Sequence, residues 1–361
     1  MMEGENVRSW TPQVESMPRE KLEEMQTQLL RSQLNYVYDR APFYHKHFEK
    51  SGVKPSNVKS LNDLRKIPLT KASDLQSEMG ETGDPYSGRR CVPEGEILTV
   101  YGPNQHPMPE NPLLTGITDC DRNVIIQHLA RNLVMSGIQS GETIQSLCWA
   151  WEPFNRLYIN AHLYLSPSLC EIMGIVPVTL EIISLEAQRT FATASLLKPS
   201  TIIADLGHLA QLASVAEQNG VKTEEMGYKR IILKEQRILT DKEKETVRGQ
   251  WKADVYTMLA VQDNMLYAAD CDRHNGLHVW EDAFIVEVVD EETGEPLEDG
   301  EEGKLAVTNL FAKACPMIRY LTGVTARIDI RFSTEDFIEL TEETCERGTT
   351  HPLRAYPRER T

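Results

Sequence analysis

Helical and strand patterns alternate through the middle of the chain, and this alternation limits the possible folds more than any other feature. Short runs rich in β-branched residues occupy residues 143–148, 174–178, 201–204, 230–233 and 254–256. Amphipathic helical patterns separate them at residues 163–173, 185–197, 206–218 and 241–251. Strands that alternate with helices in this way form right-handed βαβ units, whose parallel sheet is covered on both faces. We therefore expect an α/β fold.

The first third of the chain is mostly helical in pattern. Apolar residues recur at three- and four-residue steps through residues 17–48, and a break is expected near Arg40. The reason is Pro42, because a proline disfavours the helical conformation of the residue before it. Further helices are predicted at residues 61–75 and 120–136, with a short strand at residues 96–101 between them.

Two strand patterns near the C-terminus flank an acidic turn. Residues 284–290 and 304–308 are rich in β-branched residues, and the turn between them contains Gly294, Gly300 and Gly303. This arrangement predicts a β-hairpin.

Composition excludes several classes of protein. The 361 residues are 40% hydrophobic and 25% charged, which is typical of one large or two medium globular domains. A net charge of −16 argues against sequence-independent binding of nucleic acid, because phosphates attract basic surfaces. No apolar run approaches the roughly 18 residues of a membrane span, and the N-terminus has no signal-peptide core. Seven scattered cysteines are typical of a reduced cytoplasmic protein with buried thiols.

Short motifs follow one another in a distinctive order at both ends of the chain. They are Tyr38-Asp39-Arg40-Ala41-Pro42-Phe43-Tyr44, Ser60-Leu61-Asn62-Asp63-Leu64, Ile67-Pro68-Leu69-Thr70-Lys71, Tyr256, Cys271, Gly276-Leu277-His278, Glu281-Asp282, Thr293-Gly294-Glu295-Pro296-Leu297, Arg319-Tyr320 and Thr322-Gly323. This order resembles the phenylacetate-coenzyme A ligase branch of the adenylate-forming (AMP-dependent synthetase/ligase) enzymes, from about residue 17 to residue 354.

The resemblance implies the fold. It predicts the N-terminal core of an adenylate-forming enzyme, with parallel sheets flanked by helices and a β-rich C-terminal subdomain. We expect a helical segment at residues 1–90, an α/β sheet core at 91–256 and a β-rich subdomain at 257–361. The last segment ends at the family's hinge, so we expect the small domain that carries the family's catalytic lysine to be absent.

The chain departs from the family where the family binds ATP. Four prolines interrupt residues 102–116, where the family has its phosphate-binding loop, and each proline removes a backbone donor. Thr257 replaces the family's turn glycine, Ala260 its metal-holding glutamate and Val324 its ribose-binding aspartate. We therefore expect ATP-dependent adenylation to be lost or reworked, and Mg²⁺-ATP and coenzyme A to be doubtful ligands.

A substrate site is expected at the carboxyl ends of the parallel strands, where ligands bind in open α/β sheets. Trp149, Trp151, Phe154 and Tyr158 follow the strand at residues 143–148, which the resemblance places near the acyl pocket. They could line an aromatic substrate site or form an ordinary core cluster. The other members of the predicted substrate site are Glu235, where the resemblance places the adenine, and Tyr256.

Cysteine and histidine residues suggest a structural zinc site. Cys271, His274 and His278 lie within eight residues, and the predicted hairpin could bring Cys315 beside them. Some members of the family carry zinc here. We favour Cys271, His278 and Cys315, with His274 or Asp272 as the fourth ligand; the alternative is a buried thiol with exposed histidines.

Three functions remain open from the sequence. The first is a diverged enzyme that acts on an aromatic or activated acyl substrate in a specialised small-molecule biosynthetic pathway. The second is a non-catalytic homologue (a pseudoenzyme) that binds a partner enzyme or carrier protein. The third is a weak ATP-dependent acyl- or aryl-coenzyme A ligase that uses a C-terminal domain from another chain. A homodimer is also compatible with the sequence. The sequence assigns no catalytic residues.

Overall fold

The computed structural model describes residues 9–102, 110–148, 152–159, 167–179, 184–328 and 352–354. Its α-helices are α1 (Pro12–Glu15), α2 (Arg19–Arg40), α3 (Pro42–Ser51), α4 (Ala72–Thr82), α5 (Asp119–Met135), α6 (Pro153–Ile159), α7 (Leu169–Met173), α8 (Ser184–Leu197), α9 (Leu206–Gln218) and α10 (Asp241–Trp251). Short 3-10 helices occupy Pro55–Asn57, Leu61–Lys66, Glu94–Glu96, Thr223–Met226 and Gln262–Asn264. Across these described ranges, no helix is both long enough and apolar enough to cross a membrane.

The strands are β1 (Thr99–Tyr101), β2 (Thr115–Ile117), β3 (Thr143–Leu147), β4 (Val176–Thr179), β5 (Thr201–Ala204), β6 (Arg230–Glu235), β7 (Asp254–Val261), β8 (Leu266–Ala269), β9 (Leu277–His278), β10 (Phe284–Val289), β11 (Gly303–Asn309), β12 (Tyr320–Ile328) and β13 (Pro352–Arg354).

The chain forms two compact units, and each draws on separate stretches of sequence. Unit 1 combines residues 1–125, 261–266 and 278–356, and unit 2 combines residues 126–260, 267–277 and 357–361. The predicted division into residues 1–90, 91–256 and 257–361 follows sequence order and stays a prediction.

Unit 2 contains the parallel sheet. Its strands lie in the order β4-β3-β5-β6-β7, all in parallel pairs, with β8 next to β7. Helices α9 and α10 have the predicted bounds, whereas β7 continues to Val261, five residues beyond the predicted end at Tyr256. Leu212, Ile231, Val255 and other buried side chains from the sheet and its helices form one core cluster. The predicted α/β fold is confirmed.

Unit 1 contains the predicted hairpin. Strand β10 pairs antiparallel with β11, and β11 pairs antiparallel with β12. A Cβ atom at Gly303, the first residue of β11, would lie 2.6 Å from the carbonyl oxygen of Val289. A glycine is therefore needed where the acidic turn enters β11.

Prolines set the helix ends in the first part of unit 1. Helix α2 ends at Arg40 and Ala41 is extended (φ −102°, ψ 106°) before Pro42, which confirms the predicted break. The single helix predicted at residues 61–75 is wrong. A 3-10 helix ends at Lys66, Ile67 is extended (φ −83°, ψ 128°) before Pro68, and α4 begins only at Ala72.

Arg319 connects three parts of unit 1. Its guanidinium is almost completely buried and forms two hydrogen bonds with the Glu287 carboxylate, at 2.9 and 3.0 Å. It also donates to the carbonyl oxygens of Ile67 (2.6 Å), Gly294 (2.8 Å) and Arg65 (3.2 Å). Burial raises the pKa of Glu287, and the charge of Arg319 counteracts this rise. Through these hydrogen bonds, Arg319 and Glu287 connect β10, the start of β12 and the segment before α4.

Candidate functional site

Three neighbouring parallel strands of unit 2 are aligned near their carboxyl ends. Leu147 of β3 lies opposite Ala204 of β5, and Ala204 lies opposite Leu233 of β6. Cys148 and Asp205, which follow β3 and β5, and Lys234, the second-last residue of β6, therefore lie at the carboxyl edge of the sheet, where α/β proteins bind ligands. We call this edge, together with Glu152, His208 and Glu235, the strand-end cluster.

A buried ion pair is the most unusual part of the strand-end cluster. The Nζ atom of Lys234 lies 2.5 Å from Oε2 of Glu152, and their side chains are only 6% and 4% exposed. Burial alone would lower the pKa of Lys234, but the charge of the Glu152 carboxylate and the hydrogen bond to it counteract burial, and the pKa is raised. Lys234 therefore remains an ammonium ion, which Glu152 holds in place.

An aspartate and a histidine form a second pair at this edge. Asp205 caps the N-terminus of α9, where its Oδ1 accepts a hydrogen bond from the backbone N–H of His208 at 2.8 Å. Its Oδ2 lies 2.5 Å from Nδ1 of His208. Burial opposes ionisation of Asp205, but the imidazole and the backbone N–H of His208 outweigh it and lower the pKa of the carboxyl. The carboxylate and the imidazole are therefore in close contact.

Glu235 is anchored to the same helix end. Its Oε1 accepts a hydrogen bond from the backbone N–H of Leu206 at 2.8 Å, and burial raises the pKa of its carboxyl. The predicted substrate residue Glu235 thus lies beside Asp205 and Lys234. Glu152, Asp205 and Glu235 thus bring three carboxyl groups to this edge.

The predicted aromatic residues do not line an open site where they are described. Phe154 and Tyr158 on α6 are completely buried, stack on each other at 5.6 Å, and Phe154 lies 6.1 Å from the ring of Tyr267. Trp149 and Trp151 lie outside the described residues. This arrangement agrees with the core-cluster alternative, and a substrate role for the four aromatics stays a prediction.

Tyr256, the sixth predicted substrate residue, packs against His274 with ring centroids 4.9 Å apart. The two ring nitrogens of His274 face carboxylates, since Nε2 lies 3.1 Å from Asp254 and Nδ1 lies 3.4 Å from Asp270. Asp270 is 2% exposed and also accepts a hydrogen bond from Thr257 Oγ1 at 3.1 Å. The hydrogen bond to Asp270 is the largest cause that raises the pKa of His274.

This arrangement predicts a pH-dependent stability. The pKa of His274 is raised on folding. Its protonation therefore contributes fully to the free energy of unfolding below the pKa of the unfolded chain, and this contribution is lost as the pH rises through the pKa of the folded protein. We expect the melting temperature of the wild type to fall, relative to that of His274→Asn, between about pH 5.5 and about pH 8.5. Asparagine is chosen because His274 has φ +50°, which asparagine tolerates.

Circular dichroism melts across this pH range would measure the difference, and His45→Asn on the exposed face of α3 would control for the loss of a histidine. Parallel pH profiles for the wild type and His274→Asn would contradict this role of the two carboxylates.

The residues predicted as zinc ligands contact other groups in the structure or are buried. His274 is engaged by carboxylates at both nitrogens, Cys271 is 1% exposed, and Cys315 is buried in a small cluster with Tyr86. His278 is also buried. Within the part of the chain that the structure describes, no three His, Cys, Asp or Glu side chains are arranged to hold a metal ion. The zinc prediction therefore gains no support.

Positions that the resemblance assigns to ATP hold apolar or occupied side chains. Ala260 is 1% exposed and Val324 8%, so neither offers a ligand for a metal or a ribose hydroxyl. Thr257 donates its hydroxyl to Asp270. Residues 103–109, the middle of the predicted phosphate loop, lie outside the described residues. The loss or reworking of ATP-dependent adenylation stays a prediction.

Sequence reasoning missed Glu152, Asp205 and His208. Asp205 carried a usable signal, because an aspartate between a strand pattern and a helix pattern is a typical helix cap. The pairing of Glu152 with Lys234 spans 82 residues and has no local pattern that could have revealed it.

Comparisons with known proteins agree with this architecture. The chain is 29% identical to a phenylacetate-coenzyme A ligase of Thermus thermophilus over 346 residues, which are 95% of this chain and 71% of that protein. It is 25% identical to the enzyme of the same name from Pseudomonas putida over 321 residues, 87% of this chain and 68% of the relative. No family model matches the chain.

Solved structures give the same fold. An open conformation of 2-hydroxyisobutyryl-CoA ligase, in complex with 2-HIB-AMP and CoA, superposes with a TM-score of 0.80 at 22% identity. The superposition covers 98% of this chain and 73% of that one. The predicted fold class, an adenylate-forming-enzyme core with parallel strands and a β-rich subdomain, is confirmed.

Proposed function

Because the chain resembles the phenylacetate-coenzyme A ligase branch of the adenylate-forming enzymes in sequence and fold, we propose that it is a coenzyme A ligase-like enzyme. In this proposal it acts on an aromatic or activated acyl substrate in a specialised small-molecule biosynthetic pathway, with adenylation reworked. The observation that carries the proposal is the strand-end cluster, a buried set of charged side chains at the sheet edge where ligands bind.

The relatives' names bear on the ligands. Proteins named coenzyme A ligases join an acid to coenzyme A, which favours an acyl group and coenzyme A as ligands here. The sequence made coenzyme A and ATP doubtful ligands, and the relatives' names argue against both doubts. Ala260, Val324 and the acidic strand-end cluster are the opposing observations on ATP.

The strand-end residues have definite parts in this proposal. In this proposal His208, whose Nδ1 lies 2.5 Å from the Asp205 carboxylate, acts as the general base. Lys234, held by Glu152, supplies a fixed positive charge at the same edge. Such a site suits proton transfer on an acyl substrate that arrives already activated, and it needs no bound triphosphate. The pseudoenzyme and the ligase completed by a second chain stay alternative predictions.

Isothermal titration calorimetry with the full chain tests the proposal. With Mg²⁺ present, we expect ATP to bind with a millimolar dissociation constant or not at all, because Ala260 and Val324 offer no ligand for the metal or for a ribose hydroxyl. We expect phenylacetyl-coenzyme A, a pre-activated aromatic acyl group, to bind with a micromolar constant. Acetyl-coenzyme A is the matched control for the aromatic part, and the metal content of the same sample should be measured.

Each outcome has a distinct meaning. Micromolar binding of ATP would show that adenylation is retained, and carboxylate-dependent release of pyrophosphate should then be assayed. No binding of either thioester would contradict an acyl substrate and favour the pseudoenzyme.

A further inference from the structure

Unit 1 has a groove that the strand-end cluster does not use. It lies between α2, residues 60–65 and the outer edge of β10, and its volume is about 1080 Å³. Leu61, Ile285, Val286 and Ile328 supply its apolar surface, and charged residues of α2 line one side. We call it the β10 groove.

Strand β10 has an open edge in this groove. It is the last strand in its sheet, so among the described strands it pairs with β11 alone. Backbone groups of an antiparallel strand alternate between its two edges. Leu310 donates its backbone N–H to Ala283, which places residues 285, 287 and 289 towards β11 and residues 284, 286 and 288 towards the groove.

The two neighbours of Val286 on this edge already have partners. The carbonyl oxygen of Phe284 lies 3.5 Å from Nε2 of Gln26, and that of Val288 accepts a hydrogen bond from the backbone N–H of Leu297 at 2.8 Å. Val286 lies between them, half-buried, and both its N–H and its C=O point into the groove. One residue of an added strand would pair with both groups.

Gln26 adds an independent signal. This glutamine of α2 is 2% exposed, lines the groove, and donates from Nε2 to the carbonyl oxygen of Glu281 at 2.9 Å. Its Oε1 is buried and has no hydrogen-bond partner. A buried acceptor without a donor is costly, so a ligand that supplies an N–H group there is favoured.

The charge of the groove identifies the kind of donor. Among the residues that the structure describes, six carboxyl groups and three guanidinium groups line it. Arg19 is already bound to Glu23 at 2.8 Å and to Glu281 at 2.7 Å. Burial raises the pKa of Glu281 to about 7, so a further cation beside it would favour its ionised form. Exposed Glu20 and Glu24 give the rim a negative potential that attracts basic segments.

We propose that the β10 groove binds an extended, basic segment of a partner protein. The segment adds a strand to β10 through the backbone of Val286, and one of its lysine or arginine side chains donates to Oε1 of Gln26. The N–H and the C=O of Val286 lie side by side on this edge and favour a peptide, which offers both a carbonyl group and an N–H. A small polyamine has no carbonyl group to accept from the N–H of Val286. This inference does not depend on the proposed enzymatic function.

The test uses the full chain and a defined probe, a fluorescein-labelled heptapeptide that alternates valine with arginine. Fluorescence anisotropy would measure its binding. We expect Val286→Pro to weaken binding at least tenfold, because proline removes the outward N–H but no ladder bond of this edge strand. Gln26→Leu should weaken it similarly, whereas the matched control Gln33→Leu, on the same helix but bonded to Ala312 outside the groove, should not.

Further probes distinguish a strand-adding peptide site from a site for small cations. A peptide with glutamate in place of arginine, and one with an N-methylated backbone, should each bind at least tenfold more weakly. The double variant Glu20→Gln/Glu24→Gln changes exposed positions, so it keeps the test valid if Val286→Pro or Gln26→Leu fails to fold by circular dichroism. Absence of peptide binding to the wild type would overturn the proposal. Equal binding of the N-methylated peptide, or full competition by spermine, would also overturn it in favour of a small-cation site.

Discussion

Replacing Arg319 with alanine is expected to destabilise the protein by about 3–5 kcal/mol, the range for breaking a buried ion pair. The substitution removes both hydrogen bonds to Glu287 and three to backbone carbonyl oxygens, and it leaves the Glu287 carboxylate without its counter-ion. Urea denaturation followed by circular dichroism would measure the loss.

Two variants calibrate this result. Arg319→Lys keeps the charge but cannot reproduce the two-pronged contact with Glu287, so an intermediate loss is expected. Arg237→Ala breaks an exposed pair with Glu243 and should cost no more than about 1 kcal/mol. If Arg319→Ala cost as little as Arg237→Ala, the fastening of β10, β12 and the segment before α4 by this side chain would be disproved.

The second large effect is expected at the strand-end cluster. Lys234→Ala should destabilise the protein by about 3–5 kcal/mol, because it removes the ammonium that is paired with the buried Glu152 carboxylate. The double variant Lys234→Met/Glu152→Leu replaces both charges with apolar groups and should recover most of that loss. A double-mutant cycle by urea denaturation measures the coupling, and additive losses would contradict a direct pair.

The same cycle distinguishes stability from function. If the double variant folds as stably as the wild type but no longer binds phenylacetyl-coenzyme A, the Lys234–Glu152 pair serves the ligand rather than the fold. Retained binding would place the acyl site elsewhere.

Local patterns were sufficient for much of the fold. Periodicity located α9 and α10 to the residue, and in the structure an aspartate or a threonine caps the start of each helix. The helix predicted across residues 61–75 failed because apolar spacing was given more weight than Pro68, which holds Ile67 extended.

The candidate site was predictable only in part. The rule that ligands lie at the carboxyl ends of parallel strands placed Glu235 at the edge of the sheet where the structure has it. The partners that determine their chemistry, such as Glu152, come from distant parts of the sequence and follow no period. The aromatic pattern after β3 could not distinguish a pocket from a core, since Phe154 and Tyr158 would be apolar and closely spaced in either case.

The division of unit 1 into separate stretches has a consequence for the nascent chain. Tyr44 accepts a hydrogen bond from the backbone N–H of Ile318 at 2.8 Å, and both belong to one buried cluster with Phe48 and Met317. Until β12 has been synthesised, no strand covers the apolar face of α2 and α3. Most contacts within unit 2 join residues that are nearer in sequence, so they can form earlier. The last part of this cluster can therefore be completed only late in translation, after residues 317–320 have been made.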